Sequence, residues 1–227
     1  MGIFKKKIDN YLILLFFFLM LISIFIFKHY GISIDEEGTR YHGLVSFNYI
    51  FEVINKTFNT SILTDSKLSN LQDYSFKEYG VFFELVSITI EKIFKLTEFR
   101  EIFYFRHFFT NFIFLISVIY FSKLIHKNFK SIPYSIWGGL MLYTSPRIFA
   151  QSFYNSKDII FLAFFIISIY YCFSFLKDKK YKYLILSCIS LALLTSTRVI
   201  GIYLFFIFII FLLFEILEGR KTKVSIL

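Results

Sequence analysis

Apolar residues along this chain are concentrated in long runs separated by short charged clusters, rather than spaced as on the core-facing side of a soluble helix. The first run covers residues 11–27 and, with its flanks, is long enough to cross a hydrocarbon core of about 30 Å. The later runs cover residues 104–125, 132–144, 159–176, 183–195 and 199–217. We predict six transmembrane helices, and we expect the third to continue through Pro146 to Ala150.

The segment 79–96 contains apolar residues but also carries charges within the run. Glu84, Glu91 and Lys95 stand at positions i, i+7 and i+11, which places them on one helical face, away from apolar residues such as Phe83. This pattern is typical of a helix that lies in the membrane interface rather than crossing the bilayer. We therefore predict an external amphipathic helix here.

The positions of the basic residues favour the same interpretation. If residues 79–96 do not cross, the basic clusters within 123–130, 177–182 and 220–223 fall on the same side as the lysines at 5–7. Basic residues collect on the cytoplasmic side of membrane proteins. We thus predict an all-α polytopic bundle forming one membrane domain over residues 1–227. Its N-terminus is cytoplasmic, residues 28–103 form an external loop, and the membrane is the bacterial inner membrane.

Composition changes this picture little. Apolar side chains make up 57 % of the 227 residues, against roughly 45–50 % in a soluble domain, which excludes an ordinary water-soluble globule. The net charge of +9 would suggest nucleic acid as the partner of a soluble protein. Because most basic residues flank apolar runs, membrane topology explains the charge, and we predict no nucleic-acid partner.

Two acidic motifs lie on the predicted outer side. The first is Ile34-Asp35-Glu36-Glu37, just beyond the first span. Acids held near a bilayer are partly dehydrated, which raises their pKa and suits a general base. Ser33 and Glu36 also form a capping-box pattern, in which the acids would only stabilise a helix start. From spacing alone, both interpretations stand.

The second motif joins Ser145-Pro146-Arg147 to Asn155-Ser156-Lys157-Asp158. Cations and exposed amide groups near a helix start can bind an anion, whereas the simpler interpretation is a helix cap with an acidic first turn. Further polar residues near the outer helix ends are Arg100, Arg106, His107, Asn111 and Arg198. Asn111 lies deepest in an apolar run, so we expect it to face the bundle.

Carboxylates and cations at one mouth of the bundle suit chemistry on a phosphate-linked lipid. The tail of such a lipid lies in the bilayer, while its head group stays at the interface. Cations would bind the phosphate and stabilise it as it leaves, and a carboxylate would deprotonate the attacking hydroxyl.

These motifs, in this order between apolar spans, resemble the GT-C membrane glycosyltransferases, especially bacterial protein-mannosyltransferase-like and aminoarabinose-transferase-like members. The resemblance implies inverting transfer of a sugar from a polyprenyl-phosphate donor to an acceptor hydroxyl of a lipid, glycan or protein on the outer face. By resemblance, Asp35 is the base and Glu36 supports it, while Asp158 is the acid of the second external turn. The cations implied as readers of the donor phosphate are Lys157, Arg147, Arg106 and Arg198.

The chain departs from that family pattern in two places. Glu78-Tyr79-Gly80-Val81 stands where a His-Pro-Pro stretch is common, and further spans are usual beyond the sixth, so we expect the N-terminal part of a longer module. His42 is either an acceptor contact or a simple interfacial histidine. A transporter component and a non-catalytic truncated membrane protein are the alternative functions. No cofactor is predicted, and a divalent-metal requirement stays open.

Overall fold

The structure, a computed structural model, describes residues 2–59 and 67–217, with side chains from residue 8 onward. This part of the chain is helical and contains no β-strand, which confirms the all-α prediction. The helices are α1 (Gly2–Ile26), α2 (Ile34–Phe58), α3 (Phe82–Ile93), α4 (Phe99–Phe129), α5 (Ile132–Thr144), α6 (Pro146–Tyr154), α7 (Asp158–Asp178), α8 (Tyr181–Thr197) and α9 (Ile202–Leu217). The lysine side chains at 5–7 and the basic cluster at 220–223 lie outside the described residues.

Four helical segments in the described ranges are long and apolar enough to cross a membrane: Ile8–His29, Phe99–Phe129, Asp158–Asp178 and Val199–Leu217. They confirm a helical membrane bundle. The other two predicted spans are shorter, since α8 has 17 residues and α5 has 13. At about 1.5 Å per residue, α5 is about 20 Å long and does not cover a hydrocarbon core by itself.

The third predicted span does not continue to Ala150 as one helix. Helix α5 ends at Thr144, Ser145 adopts an extended ψ of 115°, and α6 begins at Pro146. Proline disfavours a helical conformation in the residue before it and lacks an N–H for the helical ladder. The Ser145-Pro146 step therefore ends one helix and begins the next.

The predicted external loop 28–103 is more helical than expected, because α2 runs for 25 residues within it. Helix α3 has only 12 residues and is too short to cross, as the amphipathic pattern predicted. Its polar face points inward rather than toward water. Glu84 and Glu91 are only 5 % and 3 % exposed, whereas Ile93 is 68 % exposed.

Apolar packing holds the bundle together around α4. One buried cluster includes Leu12 and Leu19 of α1, Phe114 and Val118 of α4, and Ile159 of α7. A second cluster joins α7, α8 and α9 through residues such as Phe175, Leu194 and Phe208. Of the 16 described residues of α9, only Phe208 is buried, so most of this apolar helix presents a surface suited to lipid.

The helix ends separate into two groups. At one end, Lys127 at the end of α4 pairs with Asp178 at the end of α7 over 2.6 Å, and Lys179 pairs with Glu215 of α9. Asp9 and Lys123 line one groove near this end, which places the start of α1 there too. The opposite end carries the starts of α2, α4 and α7 and the turn after α8, and it contains both acidic motifs.

Candidate active site

A cleft of about 240 Å³ opens at the end of the bundle that carries the acidic motifs. Three separate segments line it: the start of α2, the turn from α6 to α7, and the turn after α8. Its charged lining residues are Asp35, Glu36, Lys157, Asp158 and Arg198. The two acidic motifs, more than a hundred residues apart in sequence, therefore share one cleft.

Asp35 and Glu36 differ in their surroundings although they are neighbours in the first turn of α2. Asp35 is exposed to the cleft, and within the described residues its carboxylate makes no hydrogen bond or ion pair. Glu36 is buried: its Oε2 accepts from the N–H of Ser33 over 2.6 Å and its Oε1 contacts Nε2 of His107 at 2.8 Å. The capping box is thus present, and it engages Glu36 while leaving Asp35 available.

The second motif forms a capped start to α7. Asn155 Oδ1 accepts from the Asp158 N–H over 2.9 Å, and Asn155 Nδ2 donates to Asp158 Oδ2 over 3.0 Å. Arg198, from the turn after α8, pairs with the other carboxylate oxygen of Asp158. Both side chains of this pair are about half exposed, at 45 % and 51 %. Exposed pairs of this kind contribute only about 0–1 kcal/mol, so an incoming anion can compete for Arg198.

Lys157 lines the cleft and also lies close to Tyr79 of the predicted external loop. Its Nζ stands 5.1 Å from the centroid of the Tyr79 ring. His42 is buried, stacks on Tyr74 with ring centroids 5.6 Å apart, and does not line the cleft. Burial and the positive charge of Lys157 lower the pKa of His42 below its ordinary value. This packing favours the interpretation of His42 as a structural residue.

A buried ionic network lies beneath the cleft. Arg106 of α4 donates to Glu91 Oε1 over 2.9 Å and pairs with Glu84 through its other terminal nitrogen. Arg40 donates to Glu91 Oε2 over 3.0 Å. Ser156 Oγ donates to Glu84 Oε1 over 2.8 Å, which links the network to the α6–α7 turn. Buried charges are tolerated when they are paired in this way, so the network holds α2, α3, α4 and that turn together.

The seven residues predicted as catalytic or donor-binding lie in different places in the structure. Asp35, Glu36, Lys157, Asp158 and Arg198 line the cleft. Arg106 is 3 % exposed, lies beneath the cleft and has both terminal nitrogens on carboxylates. Arg147 is exposed on α6 and does not line the cleft.

Other polar residues near the outer helix ends behave differently from one another. Asn111 faces the bundle as predicted, with Nδ2 donating to Ser152 Oγ over 2.8 Å. Arg100 is exposed and donates from Nε to the Tyr104 hydroxyl over 2.6 Å.

The sequence does not predict the contacts that bury Glu36, Glu84 and Glu91. For the last two, the signal was present: an i, i+7 acidic pair on a helix too short to span, followed by an arginine within an apolar helix. Thr39 and Gln151 also line the cleft and gave no recognisable signal. Among the described residues, no group of three or more His, Cys, Asp or Glu side chains is placed to hold a metal ion.

Fold and cleft together define a polytopic helical membrane protein with a carboxylate- and cation-lined site at one end of the bundle. Residues 89–227, more than half of the chain, match the family described as dolichyl-phosphate-mannose-protein mannosyltransferase. The chain belongs to this family and is a membrane glycosyltransferase of the GT-C type. Comparison with curated proteins and with solved structures gives no match. Lys157, Asp158 and Arg198 lie within the matched stretch, whereas Asp35 and Glu36 precede it.

Proposed function

We propose that the protein transfers a sugar, with inversion, from a polyprenyl-phosphate donor to an acceptor hydroxyl on the extracytoplasmic face of a bacterial inner membrane. One observation carries the proposal: a single cleft contains the unengaged carboxylate of Asp35 together with the cations Lys157 and Arg198. A base and a phosphate-binding pair are the groups that this reaction requires.

In the proposed reaction, Asp35 takes the proton of the acceptor hydroxyl. The hydroxyl oxygen attacks the anomeric carbon, and the bond from that carbon to the phosphate oxygen breaks on the opposite side. The polyprenyl phosphate leaves with the electron pair, and Lys157 and Arg198 stabilise its charge. A single displacement of this kind inverts the anomeric carbon.

The neighbouring carboxylates have supporting roles in this proposal. Glu36 cannot readily act as the base, because both of its oxygens are engaged by Ser33 and His107. Asp158 holds Arg198 at the cleft until a donor phosphate replaces it. Arg106 and Arg147 are not proposed as phosphate ligands, since neither lines the cleft.

The charge distribution supports the proposed orientation. Lys123, Lys127 and the lysines at 177–182 lie toward the end of the bundle opposite the cleft. If basic residues mark the cytoplasmic side, the N-terminus is cytoplasmic and the cleft opens on the other face. The acceptor is then a lipid, glycan or protein hydroxyl that reaches the membrane surface from outside.

The proposal is tested with the protein reconstituted in lipid nanodiscs. Farnesyl-phosphate-linked mannose, glucose and aminoarabinose are supplied with a membrane extract as the source of acceptors. We expect release of farnesyl phosphate from at least one donor, with the sugar recovered on an acceptor in the inverted configuration. Donor binding without release would contradict the proposed transfer and identify a non-catalytic membrane protein.

A further inference from the structure

Arg106 and His107 are adjacent residues of α4, lie buried beneath the cleft, and point toward different sides of it. Both are buried, with 3 % and 1 % of their surface exposed, and neither lines the cleft. Each contacts a carboxylate on a different helix: Glu84 on α3 and Glu36 on α2. Arg106 and His107 therefore connect α4 to two helices that are distant in sequence, α2 and α3.

The His107 contact determines how the start of α2 is held. Because Glu36 Oε1 is an acceptor, the ring Nε2 carries the hydrogen and donates over 2.8 Å. Glu36 Oε2 accepts from the Ser33 N–H over 2.6 Å. Asp35 lies between Ser33 and Glu36, so this double attachment sets where its carboxylate stands in the cleft.

The Arg106 contact leads to the other side of the cleft. Arg106 pairs with one oxygen of Glu84, and the other oxygen accepts from Ser156 Oγ over 2.8 Å. Ser156 directly precedes Lys157 and Asp158. Through Glu84 and Ser156, the guanidinium therefore holds the turn that carries the proposed phosphate ligand.

We propose that Arg106 and His107 are positioning residues, which act through Glu84 and Glu36 to fix the separation between Asp35 and the Lys157–Asp158 turn. The inference rests on the proposed function, because only a reaction needs that separation to be precise. Reacting groups displaced by about 1 Å commonly lose about 10²-fold in rate. Two adjacent anchors on one rigid helix limit such displacement.

A merely structural role would lower stability without a selective effect on the reaction. The two arms of the proposal predict different kinetic effects. Loss of the His107 contact displaces the base, so kcat falls while the donor KM is retained. Loss of the Ser156 contact displaces Lys157, so the donor KM rises. Ser156→Ala breaks that link without leaving a buried charge unpaired, since Glu84 keeps Arg106.

The experiment measures kcat and donor KM for farnesyl-phosphate-linked mannose in nanodiscs. We expect His107→Leu to lower kcat by about 10²-fold, and His107→Gln, which retains an N–H donor, to recover most of it. We expect Ser156→Ala to raise the donor KM by about tenfold. Thr110→Val is the matched control, because among the described residues the buried Thr110 hydroxyl donates only to the Arg106 carbonyl of its own helix, and we expect its kinetics to be unchanged. Unchanged kcat in His107→Leu overturns the inference while the proposed function stands.

A second readout does not depend on activity. Spin labels at Ile34 and Arg147, both exposed, report the distance between α2 and α6 in a background with Cys172→Ser and Cys188→Ser. We expect a narrow distance distribution that broadens in His107→Leu and narrows again in His107→Gln. If the wild type shows no turnover, the proposed function fails and this distribution alone decides: an unchanged width in His107→Leu overturns the positioning role.

Discussion

Glu36 and His107 are 71 residues apart in sequence, yet Glu36 Oε1 lies 2.8 Å from His107 Nε2 in the buried base of the cleft. This contact gives two adjacent acids, Asp35 and Glu36, different surroundings. Glu36 lines the cleft with both of its oxygens engaged, whereas the Asp35 carboxylate faces the cleft unengaged by the described residues. The proposed role of Asp35 as the base, which the family resemblance suggests, is thus supported independently by the buried Glu36–His107 contact between α2 and α4.

The stability of an Arg106 variant tests whether the buried network of Arg106 with Glu84 and Glu91 holds the fold together. Arg106→Met would leave Glu84 and Glu91 without their shared buried cation, although Arg40 still contacts Glu91. Breaking a buried pair by removing one partner costs about 3–5 kcal/mol in the free energy of unfolding. In detergent, we therefore expect Arg106→Met to unfold at a much lower temperature than the wild type. Arg100→Met, at an exposed site on the same helix, is the control and should change stability by about 0.5 kcal/mol or less.

The cations of the cleft should differ from Arg147 in their effect on donor binding. Lys157→Met and Arg198→Met each remove a proposed phosphate ligand, and we expect each to weaken binding of farnesyl phosphate by about tenfold. Arg147→Met removes an equal charge outside the cleft and should change the affinity by less than about twofold. Titration calorimetry on detergent-solubilised protein measures these values. Equal losses in all three variants would indicate a general charge effect and contradict the assignment.

Close packing between α2 and α3 should make Gly43 intolerant of a side chain. A Cβ at Gly43 would lie 2.8 Å from the Glu84 Cβ, whereas a Cβ at Gly38 would have no atom of the described residues within 4 Å. We expect Gly43→Ala to lower the free energy of unfolding by about 1–3 kcal/mol. Gly38→Ala, on the same helix, should raise it by about 0.5–1 kcal/mol, because alanine loses less backbone entropy. If the melting temperatures of the two variants shift in the same direction, the close packing of α2 on α3 at Gly43 is contradicted.

Stability should decrease in mild acid because of His42. Its pKa in the folded protein lies below the ordinary value of 6.5, since burial and Lys157 disfavour the charged ring. Between these two pKa values the unfolded chain binds more protons, so the free energy of unfolding falls as pH falls through about 6.5. Comparing melting at pH 7.5 and 5.5, we expect a smaller loss in His42→Gln than in the wild type. An equal loss in both would assign the effect to other groups.

The sequence predicted the helical bundle well because long apolar runs and flanking lysines are direct signals of membrane spans. It also indicated the non-spanning segment, and the Ser145-Pro146 step carried the helix break that interrupts the third predicted span. The role of Arg106 could not be predicted. In the sequence, an arginine near the start of a predicted span looks the same whether it binds a phosphate or, as Arg106 does, two carboxylates of α3.

The cleft could be predicted only in part for a similar reason. Acids near helix starts indicate which end of the bundle they occupy, and this placed Asp35 and Asp158 at the same rim. The choice between Asp35 and Glu36 depends on side-chain burial, which their spacing in one helical turn does not encode. Tertiary partners such as His107 determine that burial.

The proposed role of Asp35 as the general base is tested by comparing Asp35→Asn with Glu37→Gln. Glu37 is an exposed acid in the same helical turn that does not line the cleft, so its variant is the matched control. After equal expression and membrane insertion are established, the kcat of sugar transfer from farnesyl-phosphate-linked donors is measured for both variants. We expect Asp35→Asn to lower kcat by about 10²-fold or more, because it removes the general base, and Glu37→Gln to retain the wild-type kcat. Sugar transfer by Asp35→Asn at the wild-type rate would show that Asp35 is not the base.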